Sequence, residues 1–146
     1  MKSLISVLIF GACLTVGARV ALACTCVPSA GPGEALEQAA AVFSGTVVQI
    51  KRHKPADDIF SAVEVVFRVG QMWKGVGNRT ISVFTGSHSA ACGYGFSKGR
   101  TYLVYAAGNS RGRLSTSICS RTKRLKDARE DLNQLGAGKM FPKFIL

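Results

Sequence analysis

The chain has little of what most catalytic and membrane proteins need. It carries two histidines, His53 and His88, and a single tryptophan in 146 residues. Two isolated histidines give no basis for a histidine-rich metal centre, and both read as loop residues. No nucleophile-elbow or Ser-His-Asp signature is present, which argues against a hydrolase. Gly93-Tyr94-Gly95 with Lys98-Gly99 lacks the strand-loop-helix setting and the Ser/Thr of a phosphate loop. Acidic residues are also scarce, 8 against 19 basic. The Asp57-Asp58 pair reads as a solvated hairpin tip. There is no internal repeat and no low-complexity tract. No apolar run, that of the first residues included, is long enough to span a bilayer comfortably.

What is present begins with a leader. Lys2 gives a positive start, Leu4 to Val16 is almost unbroken apolar sequence, and Ala21-Leu22-Ala23 fits a signal-peptidase site. Residues 1–23 are therefore expected to be a signal peptide, leaving Cys24 as the first mature residue. Two other outcomes are readable. Cleavage after Ala18 would leave residues ahead of Cys24, and a weak lipobox ending at Cys24 would make it lipid-anchored. The expected destination is the extracellular space or a periplasm. Residues 24–146 are expected to form one domain.

Of five cysteines, Cys13 falls in the leader, leaving Cys24, Cys26, Cys92 and Cys119. An even count in an exported chain reads as a disulfide framework. A Cys24–Cys26 bridge is disfavoured by its strained ring, and the two remaining frameworks stay open. Thiolate binding of copper or zinc by Cys24-Thr25-Cys26 is the competing reading. Without Lys2 and Arg19, 17 basic residues face 8 acidic ones, a formal charge of +9. That charge favours anionic surfaces, while export argues against nucleic acid.

Hydrophobic patterning predicts a mainly β fold. Glu34 to Ala41 is rich in helix formers. Val42 to Ile50 reads as a strand with a bend at Gly45, and Lys51 to Asp58 as a hairpin loop. Between Ile59 and Trp73, the residues Val63, Val65, Phe67 and Val69 share one face, opposite Glu64 and Arg68. Further strands are expected over Thr80 to Thr85, Thr101 to Ala107 and Arg113 to Cys119. Gly86 to Arg100 forms a long loop. Leu125, Ala128, Leu132 and Leu135 recur at helical spacing, with Ser120 or Thr122 as the cap, Lys123 to Arg129 on the solvated face and Gly136 as the stop. Trp73 reads as a lid on the core. Five strands with a short N-terminal and an amphipathic C-terminal helix predict a five-stranded OB-fold Greek-key barrel, with a flattened sandwich as the competitor.

Several short segments, in order, resemble the tissue inhibitors of metalloproteinases. Cys24-Thr25-Cys26-Val27-Pro28 resembles their mature start, and Cys92-Gly93-Tyr94 their Cys-Gly-Tyr segment. Phe43-Ser44-Gly45-Thr46-Val47, Trp73-Lys74-Gly75 and Thr116-Ser117-Ile118-Cys119 resemble other landmarks of the inhibitory N-terminal domain. The likeness spans most of residues 24–135 and describes a bacterial-type, single-domain member. It implies a netrin-type OB-fold and disulfides Cys24–Cys92 and Cys26–Cys119. It also implies a secreted inhibitor rather than an enzyme, with no cofactor of its own.

In that mechanism the α-amino and carbonyl groups of Cys24 bind the zinc of the target protease. Thr25 enters the specificity pocket, and Cys26, Val27 and Pro28 lie along the cleft. Ala90 and Ala91 add a second contact ridge. Animal members add a second subdomain and further bridges, for which this chain has no cysteines. The other functional class is a non-inhibitory extracellular binding module that uses the same barrel for a protein or an anionic glycan.

Overall fold

The computed structural model describes residues 24–27, 31–53, 62–75 and 77–141. The leader, Pro28, the Asp57-Asp58 hairpin tip and the last five residues lie outside them. The first element is helix α1 (Pro32–Gln38). It starts two residues earlier than the composition indicates, because Pro32 at the first turn needs no amide partner. It stops before Ala39, whose backbone is already extended.

Strands β1 (Ala41–Arg52), β2 (Val63–Lys74), β3 (Thr80–Thr85), β4 (Thr101–Gly108) and β5 (Leu114–Ser115) follow. β1 pairs with β2, β2 with β3, β3 with β5, β5 with β4, and β4 returns to β1. The circuit closes a five-stranded barrel of the OB type, and the sandwich alternative is excluded. Closure falls on β1, which pairs antiparallel with β2 along one edge and with β4 along the other. Its register against β2 slips at three places, one of them between Ser44 and Gly45. Such bulges let a long strand coil enough to close a barrel. A Cβ on Gly45 would lie 3.1 Å from both the Phe43 ring and the Phe67 Cβ, so the bend also needs a residue without a side chain.

The period-2 reading of β2 holds: Val63, Val65, Phe67 and Val69 are buried, Glu64 is half-buried and Arg68 is exposed. They join Phe43, Val47, Ile81, Val83, Tyr102 and Val104 inside the barrel. A second apolar layer lies on the barrel's outer wall, where Val42, Leu103 and Tyr105 meet Leu36 of α1 and Leu132 and Leu135 of helix α2 (Arg129–Leu135). β1 and β4 are thus buried on both sides, and their sequences run apolar without alternation for that reason.

The C-terminal region departs from its pattern. The predicted strand over Arg113 to Cys119 is only the two residues of β5. Lys123 and Arg124 form a short strand, β6, beside β4, instead of lying on a helix face. A 3-10 turn (Leu125–Asp127) precedes α2. Neither Ser120 nor Thr122 caps that helix: its N-cap is Ala128, without a side-chain hydrogen bond. Gly136 does end it, with φ 64°. Finally β7 (Lys139–Met140) pairs with β2.

Trp73-Lys74-Gly75 fastens both helices to the barrel. Trp73 packs in the outer layer and its indole N–H donates to the Gly136 carbonyl at 2.9 Å. Lys74 Nζ donates to the Leu36 and Glu37 carbonyls at 3.0 and 2.6 Å, satisfying acceptors that the end of α1 leaves open. Gly75 has φ 110° and a Cβ there would lie 2.9 Å from Ala41 Cβ, so glycine is required twice over.

Candidate protease-binding edge

Residues 24–27 run without regular structure across the barrel, held by two disulfides. Cys24 is bonded to Cys92 and Cys26 to Cys119, with Cα separations of 5.3 and 5.1 Å. Two anchors on alternate residues leave the segment little freedom. Cys24 is half-buried, whereas Thr25, Cys26 and Val27 are exposed, Val27 at 84%. An apolar side chain so far out of the core is available to a partner. Pro28 lies outside the described residues. The sulfurs of Cys24, Cys26 and Cys119 lie within 4.8 Å of one another, but all are oxidised. Thiolate binding of a metal by Cys24 and Cys26 is therefore closed while the bridges stand.

The Cys92 anchor depends on a tight loop. After β3 a 3-10 turn (Ser89–Ala91) forms, and the His88 carbonyl accepts the amides of Ala91 and Gly93 at 3.0 and 2.9 Å. Cys92 ends the turn in the left-handed region, φ 54°, the one non-glycine residue there among those described. Gly86 and Gly93 cross directly: a Cβ on Gly86 would lie 2.0 Å from the Ala91 oxygen. Tyr94 then turns inward. Its amide donates to Thr85 Oγ1 at 2.8 Å, and its ring packs at 4.6 Å from Phe96 and 6.0 Å from Tyr102. Burial pushes the Tyr94 phenol up. Ala90 is exposed beside this loop, whereas Ala91 is 2% exposed, so its methyl packs inward and offers no contact surface.

Hydroxyl groups position the Cys119 anchor. The Thr116 amide still follows the sheet, donating to the Phe84 carbonyl at 2.9 Å, and the Ile118 amide donates to the Cys92 carbonyl at 3.1 Å. That last bond ties the two anchors to each other. Thr116 and Thr122 both donate to the Tyr105 carbonyl, at 3.0 and 3.3 Å, and Ser120 Oγ lies 2.8 Å from Thr116 Oγ1. Ser117 Oγ accepts the Cys119 amide at 3.1 Å. Hydroxyls competing for backbone partners are what cut the predicted strand short.

Behind this segment sits a group that the sequence reading missed. Asp131 of α2 is fully buried. Its Oδ1 accepts the Tyr105 hydroxyl at 3.0 Å and Arg121 Nε at 2.9 Å, and its Oδ2 accepts Lys123 Nζ at 2.5 Å. Burial pushes the carboxyl up, but the hydrogen bonds from Arg121, Lys123 and Tyr105 outweigh it and hold the pKa below the usual value. The Tyr105 phenol is pushed well up, by burial first and then by the Asp131 charge. A signal was present: Asp131 stands three residues after Ala128 and four before Leu135, inside the apolar stripe. An acid on such a face needs a buried cation.

Between the anchored segment and α1 lies an open groove of about 750 Å³, lined among others by Thr25, Val27, Gln38, Tyr105, Ser120 and Arg121. His53 and His88 take no part in it. His53 pairs with Glu64 at 3.2 Å and His88 is exposed at the turn before Ser89. Among the described residues no helix is long and apolar enough to cross a membrane.

A family model described as Tissue inhibitor of metalloproteinase matches residues 22–132. That span holds the anchored segment, the whole barrel, the Cys92 and Cys119 anchors, and most of α2. Members of this family are inhibitors, not enzymes, and metalloproteinases are the partners the family implies. No curated protein matches the chain. Its barrel, its two bridges and this match over three-quarters of its length place the chain in the tissue inhibitor of metalloproteinase family.

Proposed function

We propose that the protein is exported and inhibits zinc metalloproteases through its mature terminus at Cys24. The α-amino nitrogen and carbonyl oxygen of Cys24 form a donor pair that closes a five-membered chelate ring. The open position of a catalytic zinc accepts such N and O ligands. The amine must be neutral to donate, and an α-amino pKa of about 7.7–8 makes that proton inexpensive to lose near neutral pH. Thr25 enters the protease pocket beside the zinc, and Cys26, Val27 and Pro28 follow the cleft. Ala90 is the second ridge.

The observation that carries this reading is the double anchoring. Cys24 and Cys26 are each bonded to the barrel while Thr25 and Val27 project from it. A peptide-like edge fixed in advance loses little conformational entropy on binding. The bond from the Ile118 amide to the Cys92 carbonyl stiffens the platform beneath it.

The experiment compares the chain starting at Cys24 with one extended by a single alanine and one acetylated at the terminus. Inhibition of a panel of zinc proteases should be present in the first and lost in the other two, with melting temperatures unchanged. Inhibition that survives extension sinks the chelation mechanism. Absence of inhibition in the native form leaves the barrel as a binding module for another protein or an anionic glycan.

A further inference from the structure

The two disulfides are stacked, and the contact between them has a chemical consequence. Cys24 Sγ and Cys119 Sγ belong to different bridges yet lie 3.6 Å apart. Of the four bonded cysteines, only Cys26 is exposed, and it lines the open groove together with Cys119 and Arg121. We propose that Cys26 is a site of S-thiolation by small thiols, and that Cys119 relays the exchange to Cys24 and releases Cys92.

The steps balance. A thiolate from a small monothiol attacks Cys26 Sγ and forms a mixed disulfide there. The Cys26–Cys119 bond breaks and Cys119 leaves as a thiolate. That sulfur lies 3.6 Å from Cys24 Sγ, within van der Waals contact, and attacks it. A Cys24–Cys119 bond forms, the Cys24–Cys92 bond breaks, and Cys92 departs as a thiolate that takes a proton from solvent. One external thiol is consumed, one mixed disulfide and one free thiol result, and no outside oxidant is needed.

Three features favour this course. Exchange rates follow access to the attacked sulfur, which selects Cys26 as the point of entry. Cys119 lines the open groove, so its thiolate forms beside water rather than in dry apolar surroundings that would disfavour it. Cys92 lies in the left-handed region, where a side chain is strained, and breaking its bridge leaves that backbone constrained by the turn's hydrogen bonds alone. The outcome is a rewired terminus: Cys24 is tied to the Cys119 segment and no longer to the Cys92 loop. This inference does not depend on zinc chelation, since its readout is covalent.

The test treats the oxidised protein briefly with glutathione under native conditions, quenches with acid, alkylates free thiols and maps the peptides by mass spectrometry. The expected early product carries glutathione on Cys26, a Cys24–Cys119 link and the alkyl label on Cys92. A label that stays on Cys119 with Cys24–Cys92 intact overturns the relay. Glutathione on Cys24 or Cys92 with Cys26–Cys119 intact overturns the entry point, and so does a chain that resists thiolation until it is unfolded. Two variants separate the parts. Cys26→Ser should populate the Cys24–Cys119 link with Cys92 free, whereas Cys119→Ser should keep Cys24–Cys92 wholly intact.

Discussion

Gly93 and Gly86 pass each other with no room for a side chain: a Cβ on Gly93 would lie 2.2 Å from the Gly86 carbonyl oxygen. This crossing sets the path of the loop that presents Cys92. Neither glycine has a positive φ, so the requirement is space rather than backbone freedom. Gly93→Ala should therefore force the loop apart and cost about 3 kcal/mol, as overpacking against rigid backbone does. Thermal denaturation of the oxidised protein measures it. A melting temperature equal to that of the wild type would show that the loop yields cheaply.

Asp131 gives a second prediction. Asp131→Asn leaves Arg121 and Lys123 facing a neutral amide in a buried site, and should destabilise by about 3 kcal/mol. Tyr105→Phe removes one neutral donor to the same buried carboxylate and should cost about 2 kcal/mol. The two share one network, so their effects should not add in a double-mutant cycle. Strict additivity in urea denaturation would separate Tyr105 from the ion cluster.

The same carboxylate predicts a pH dependence. Its folded pKa lies below the ordinary value, so near and below pH ~4 the unfolded chain binds more protons than the native one. Stability from this group is complete above about pH 5 and is lost as pH falls through the depressed folded value. Glu64, held low mainly by the Ser82 hydroxyl, acts with the same sign. The stability gap between wild type and Asp131→Asn should narrow on acidification. A gap that stays constant from neutral pH down to about pH 2 would contradict the assignment.

Trp73 is the only tryptophan and joins β2 to the end of α2 through Gly136. Its fluorescence should report the docking of that helix, shifting to the red together with global unfolding. Trp73→Phe keeps most of the packing but loses the indole donor, at a cost of about 1–2 kcal/mol. An emission change well before loss of far-ultraviolet circular dichroism would mean that α2 undocks separately.

Thr25 projects between the two anchors and touches little of its own protein. Thr25→Gly should leave the unfolding free energy within about 0.5 kcal/mol of wild type. Under the proposed mechanism it should change inhibition unequally across zinc proteases, because pocket residues act on differences between targets. Equal inhibition constants for both forms on every protease would remove Thr25 from the contact.

Much of the barrel is legible in local pattern. β2 shows its alternation because one face meets the core and the other meets solvent or polar neighbours. β3 and β4 are bounded by turn residues, and their limits follow from composition. The outer layer is harder to read. Val42, Leu103 and Tyr105 look like core residues, yet nothing local says that a second core lies outside the barrel. The Cys119 segment misleads in the opposite sense. Its Thr and Ser residues look strand-compatible, but here their hydroxyls take the Tyr105 carbonyl and end the ladder after two residues.

Local pattern alone reveals the alternating strands, the stop at Gly136, the glycine at the β1 bend and the cysteines available for bridging. These are properties of single residues and of near neighbours, and they act over a few ångströms of chain. The pairing of the sulfurs, which the family resemblance implied, is realised in the folded chain, and the fold alone shows that Ala91 is buried while Ala90 is exposed and that Asp131 is buried against Arg121, Lys123 and Tyr105. The fold also decided that Cys24 and Cys119, 95 residues apart, hold their sulfurs in contact. Such pairings depend on how the barrel closes, and closure rests on β1 meeting both β2 and β4, a long-range event that no local pattern encodes.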